Sequence, residues 1–191
     1  STLKTAETSG MMGPTLVTDF PEVESIVRYH PWYNTVVLSN NDRNTELSEK
    51  EILMVDSTVF SVFDFPLVRG SAKSVLTRPN TMVITESVAQ ALFGNEDPIG
   101  RSIIGINNQS FEVTGIAKEA PRNSHIQFKG LVSWTSTVPQ MGSIPYEWMN
   151  NWIAQGINTY VFLKPGANAD ALQAKLPKFM RDHLPERVSR Y

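Results

Sequence analysis

A chain of 191 residues with 41% hydrophobic side chains can bury a sizeable core, about 70% of its unfolded surface by size scaling, in one domain or two closely joined ones. Its net charge of −2, from 17 basic against 19 acidic residues, sets up no global field for nucleic acid or an acidic membrane surface. Cysteine is absent, which excludes a disulfide framework and thiol chemistry, and no apolar stretch approaches the ~20 residues of a membrane span.

The first element the pattern predicts is a short helix over residues 10–20, with Met11, Met12, Leu16 and Phe20 partly on one face and Pro21 as its stop. Residues 23–29 alternate imperfectly between apolar and charged and read as a strand. Residues 34–38 and 51–55, around the turn cluster Asn40-Asn41-Asp42-Arg43-Asn44, predict a hairpin over 34–56. Residues 57–63 form one or two helical turns capped by Asp56 or Ser57, and residues 72–76 a further short helix.

The segment from Val83 to Gly100 is the most informative. Met82 to Ile84 reads as a buried strand, Thr85 as an N-cap, and Val88, Ala89, Leu92 and Phe93 as the apolar face of a helix. Gly94 closes that helix with positive φ, and Asp97-Pro98-Ile99-Gly100 fits a type I turn. Residues 102–106 and 110–116 then flank Asn107-Asn108-Gln109 in a second hairpin, whose asparagines tolerate positive φ. A strand over 127–134 follows, and Asn123-Ser124-His125 reads as a corner leading into it. Residues 135–157 are Trp- and Met-rich and poorly patterned, with a helix expected over 146–153. A strand over 158–163 and a helix carrying Ala169, Leu172, Leu176, Phe179 and Leu184 complete the chain, with Pro177 expected to kink or split that helix. Strands joined by hairpins with helices inserted argue for an α+β fold.

No cofactor motif accompanies these elements. His30, His125 and His183 lack metal-ligand companions, and adjacent Asp182 and His183 do not share a helical face. Ser124 beside His125 does not make a nucleophile–base pair, because the base must approach from across the fold. The cluster around Asp42 lacks the glycine and terminal glutamate of a calcium loop, and no phosphate-binding glycine loop is present. No catalytic residue, metal site or cofactor is therefore expected. From Lys164 onward the chain carries an excess of basic residues, which reads as a solvated helix face rather than a lipid contact. Tyr146, Trp148 and Trp152, in the unpatterned stretch, are the candidate partner contacts, because aromatic anchors are enriched where proteins meet.

The block ending in Phe93-Gly94 and Asp97-Pro98-Ile99-Gly100 closely resembles one in the extracytoplasmic domain of MacB/FtsX-type ABC transporter permeases. Further pieces resemble that family in order and spacing: Asp19-Phe20-Pro21-Glu22-Val23-Glu24, Val55-Asp56-Ser57-Thr58-Val59-Phe60, and Phe63-Asp64-Phe65-Pro66-Leu67-Val68-Arg69-Gly70. Phe111-Glu112-Val113-Thr114-Gly115-Ile116 and Pro121-Arg122-Asn123-Ser124-His125-Ile126 extend the match, which covers about residues 12 to 165. The resemblance implies a porter-like α/β subdomain built from residues 1–40 and 155–191, with a Sabre-like mixed α/β subdomain inserted over 41–154. It implies a fragment of a longer, multi-pass and dimeric permease at the periplasmic face of a bacterial inner membrane, lacking a last strand and the membrane helices. ATP would be hydrolysed by a cytoplasmic subunit or domain, and the motion passed to a substrate or periplasmic partner in efflux, lipoprotein release or cell-wall regulation. The isolated domain is expected to be a monomer or weak dimer. The competing expectation is a free-standing extracytoplasmic module binding peptide or sugar.

Overall fold

The computed structural model describes residues 7–136, 151–153 and 156–184. By packing, the chain divides into two compact units, an end unit from residues 1–28 and 144–191 and a central unit from residues 29–143. The fold is mixed α/β, as the hairpins and inserted helices of the sequence predict.

The central unit is built on strands that are apolar on both faces. β5 (Ile52–Val55), β7 (Thr81–Thr85) and β10 (Gly130–Ser133) are buried at every position. Such runs belong in the interior of a sheet covered on both sides. β10 accordingly lies between β5, which it meets parallel, and β7, which it meets antiparallel. Beyond β5 comes the last part of β2 (Val23–Pro31), where Tyr29, His30 and Pro31 pair with Val55, Met54 and Leu53. On the other side, β7 runs parallel to β9 (Ser110–Ala117). One edge of β9 is shared by β6 (Leu67–Arg69) and β8 (Ser102–Ile104). β8 leads on to β3 (Val36–Asn40) and finally β4 (Thr45–Glu49).

Helix α1 (Met12–Asp19) belongs to the end unit; α2 (Val59–Val62), a single turn, and α3 (Glu86–Phe93) belong to the central one. α3 packs on β3, β4, β7 and β9 and sinks Val88, Leu92 and Phe93 to complete burial. Gly94 closes it at φ +61, as expected. In the end unit, β11 (Ile157–Leu163) lies between the two-residue β1 (Glu7–Thr8) and β2. α1 packs against β11, and α4 (Ala169–His183) starts at Asn168, whose side chain accepts the Ala171 N–H. Leu172 joins Val23 and Ile26 in a core edged by Phe20, Val161 and Leu163. Buried Arg28 is held by donating to the Gly10 carbonyl at 2.7 Å.

Several local expectations change. The strand returning from the Asn40–Asn44 turn is β4, not residues 51–55, because the apolar run of β5 gains more in the sheet interior than at a hairpin edge. Residues 72–76 form turns rather than a helix, with Leu76 at φ +61. The turn after Asp97 closes one residue later than a 97–100 turn, through Arg101 N–H to the Pro98 carbonyl at 3.0 Å. Gly100, at φ +80, then sits in the third position, where a type II turn needs positive φ. α4 runs through Pro177 without a break, its amphipathic packing outweighing the lost hydrogen bond.

The N-cap of α3 also differs. Thr85 occupies the cap position but its hydroxyl meets the Ser87 hydroxyl, while the Ser87 N–H is accepted by the Glu119 carboxylate at 3.1 Å. A carboxylate from beyond β9 thus serves the positive end of the helix, and hydrogen bonding from Ser87 holds the Glu119 carboxyl below its ordinary pKa.

Candidate partner-contact surface

Of the three aromatic residues the sequence singles out, Tyr146 and Trp148 lie outside the described residues, and Trp152 is half-buried in the end unit. Its indole stacks on the His183 imidazole with centroids 4.9 Å apart and planes 5° from parallel. It also meets the Phe179 ring edge-on at 5.7 Å. Phe179, buried, continues the aromatic row to Phe20 at 5.4 Å.

Helical spacing builds this row. Lys175, Phe179 and His183 are four residues apart on α4 and therefore lie one above another on one face. His183 Nε2 is 2.7 Å from the Asp19 carboxylate at the end of α1. Lys175 Nζ donates to Glu22 at 2.6 Å and sits 5.6 Å from the centre of the Phe20 ring. That hydrogen bond is the main reason the Glu22 carboxyl lies below its ordinary pKa, and Lys178 acts likewise on Asp182, four residues along.

Between these groups lies a groove of about 440 Å³ lined by Asp19, Phe20, Lys175, Lys178, Phe179, Asp182 and His183. It combines aromatic rings with alternating charges. Lys175 and Lys178 are each neutralised by a carboxylate partner, so the basic surplus noted in the sequence forms no free cationic patch at these two positions.

Sequence reasoning pointed to Trp152 but missed its partners His183 and Asp19. The four-residue spacing of Lys175, Phe179 and His183 was available as a signal. Nothing local marks Asp19, which comes from the other end of the chain.

The other histidines go elsewhere. His30 is buried with its ring edge-on to Tyr33 at 5.5 Å. His125 lines a separate recess of about 250 Å³ with Phe63, Asp64 and Ser124. The Ser124 hydroxyl accepts the Ile126 N–H at 3.2 Å and the Ser124 N–H bonds the Pro121 carbonyl at 2.8 Å, which makes this segment the expected corner. At the Asn40–Asn44 turn, Asn40 is buried and donates to the Leu92 carbonyl, and Arg43 pairs with Glu96. Among the described residues no group of three or more His, Asp or Glu could hold a metal ion, and no helix is long and apolar enough to cross a membrane.

The fold recurs in domains of transport permeases. A domain of a protein described as a permease from Porphyromonas gingivalis matches 95% of this chain and 80% of its own, with 25% identity and a TM-score of 0.77. The periplasmic region of MacB from Actinobacillus actinomycetemcomitans has the same fold at 18% identity and a TM-score of 0.60, covering 88% of this chain and 71% of its own. So does the extracellular domain of the noncanonic ABC-type transporter YknZ from Gram-positive bacteria, at 15% identity and a TM-score of 0.55, covering 94% and 85%. No curated protein sequence gives a significant match. The chain belongs to the MacB-like periplasmic core domain family, whose model matches residues 5–179. It is an extracytoplasmic domain of the ABC transporter permease class, a class associated with a cytoplasmic ATPase in the full transporter.

Proposed function

We propose that this domain relays ATP-driven motion from the membrane part of its permease to a periplasmic protein partner or substrate, rather than performing catalysis itself. The family match over residues 5–179 carries the reading. In this view the end unit corresponds to a porter-like subdomain and the central unit to a Sabre-like insertion. Full-length protein spans the membrane several times at the bacterial inner membrane and acts as a dimer. The partner docks on the end-unit surface around Trp152, with Tyr146 and Trp148 contributing anchors. A few desolvated aromatic side chains of this kind can supply most of an interface's binding energy.

The alternating charges and aromatic floor beside Trp152 support a polypeptide partner. The test uses the full-length permease with its ATPase in membranes. Trp152→Ala is expected to leave basal ATP hydrolysis unchanged while abolishing cross-linking of the periplasmic partner and the transport or activation that depends on it. Undiminished cross-linking in that variant rejects the surface. Without its membrane helices the domain is a monomer or weak dimer at micromolar concentration, checked by sedimentation; a tight dimer well below micromolar contradicts this.

A further inference from the structure

The outward face of the β3–β4 hairpin, in the central unit, carries a recess. It measures about 420 Å³, and its walls include Trp32, Asn34, Ser39, Glu46, Asn107 and Asn108. The register of the hairpin sets Ser39 directly opposite Glu46, so the hydroxyl and the carboxylate share one face. Along β3, Val36, Leu38 and Asn40 are buried, which leaves Val37 and Ser39 to the outer face.

The asparagines stand on a rigid turn. Asn107 and Asn108 have φ +53 and +62. The turn is closed by Asn108 N–H to the Gly105 carbonyl at 2.9 Å, Gln109 N–H to the Ile106 carbonyl at 3.0 Å, and Gly105 N–H to the Gln109 carbonyl at 2.9 Å. Glycine would adopt both left-handed positions without steric cost, whereas asparagine adds an amide to each. Trp32, half-buried, is tied at its backbone by donating to the Ile52 carbonyl at 2.8 Å.

Beside its aliphatic residues, the lining therefore offers an indole, three side-chain amides that both donate and accept, two hydroxyls, and a carboxylate that accepts twice. Among the described residues its lining has no lysine, arginine or histidine, and so no fixed cation of the kind that phosphate or carboxylate ligands call for. An apolar ring face bordered by amides and hydroxyls matches one ligand chemistry closely. A pyranose ring has an apolar C–H face for the indole and a rim of hydroxyls that donate and accept in turn. We propose that this recess binds a neutral oligosaccharide, stacked on Trp32 and gripped by Asn34, Asn107, Asn108 and Glu46. The volume is in the range of small-ligand sites and holds roughly one or two sugar rings.

The test uses the full chain labelled with nitrogen-15, following the indole N–H signal of Trp32, assigned through Trp32→Phe. Three neutral probes are titrated to about 10 mM: tetramers of β-linked N-acetylglucosamine, β-linked glucose and α-linked glucose, with inorganic phosphate as the anionic control. The expected result is a saturable shift of the Trp32 signal with at least one oligosaccharide and none with phosphate. The double variant Asn107→Gly with Asn108→Gly keeps the backbone conformation and hence the melting temperature, yet should bind that oligosaccharide at least about tenfold more weakly. No saturable shift with any of the three, competition by phosphate, or undiminished binding in the double glycine variant each overturns the proposal.

Discussion

Helix α3 of the central unit and helix α4 of the end unit both rest on β-strands, but they commit their side chains differently. α3 buries four of its eight residues, Val88, Ala89, Leu92 and Phe93. α4 buries only Leu172 and Phe179 among its described positions over fifteen residues, and leaves Lys175, Lys178, Asp182 and His183 along an open groove. The first helix is invested in its own unit. The second leaves charged side chains along the groove, the surface proposed above for a partner.

The sharpest way to break that contrast is a pair of truncations. Phe93→Ala should cost about 3–5 kcal/mol in urea denaturation, because Phe93 is 0% exposed and its cavity is closed on all sides. Trp152→Ala, at a half-buried ring, should cost only about 1 kcal/mol. Equal losses would mean that the ring packed on α4 is as structural as the buried face of α3.

Backbone strain should show the same rigidity in the central unit. Gly70 sits at φ +93, and a Cβ there would lie 2.8 Å from the Thr114 carbonyl oxygen and 2.9 Å from Val75. Gly70→Ala should therefore cost about 2–3 kcal/mol, from left-handed strain and overpacking together, and a melt shifted by less than about a degree would show that this turn can give way.

Much of the central unit was readable in the sequence because its signals are local. The buried run of β7, the apolar face of α3, the positive φ at Gly94 and the Asn-built turn after β8 each follow from a few adjacent residues. The errors came where tertiary packing outbid a local pattern. Residues 51–55 look like the return of a hairpin only until the polar strand β4, patterned by half-exposed side chains, is seen to fill that place. The aromatic surface was legible only in part: Trp152 stands out by type, but its pairing with His183 and Asp19 joins residues from opposite ends of the chain.

A smaller effect tests the remote cap of α3. Glu119→Gln removes a charge from the positive end of the helix while keeping an acceptor, and after solvent screening should lower stability at neutral pH by a few tenths of a kcal/mol. The pH dependence has a definite sign. Glu22, Asp97, Glu119 and Asp182 all have lowered pKa values in the fold, chiefly through hydrogen bonds from Lys175, Arg69, Ser87 and Lys178 respectively. Their contribution is present above the ordinary carboxylate range and is lost as the pH falls through about 4 and below. Glu49 opposes this, since burial raises its pKa and its contribution is lost as the pH rises through that raised value. Thermal melts from neutral pH to about pH 3 should therefore show a net fall on acidification, shallower in the Glu119→Gln variant and in high salt.

The parallel pairing of β5 with β10 carries a consequence for how the chain assembles. Ile52–Val55 must wait for Gly130–Ser133, so that most of the central unit is synthesised and looped out before that ladder can close. Contacts of such sequence separation carry their loop entropy before they return any stabilisation, and they slow folding. Until β10 arrives, one edge of the wholly apolar β5 is an open template for strands of other chains. The interval between the emergence of residue 55 and residue 133 is thus the stage at which this domain is most exposed to aggregation, and where a holding chaperone would act.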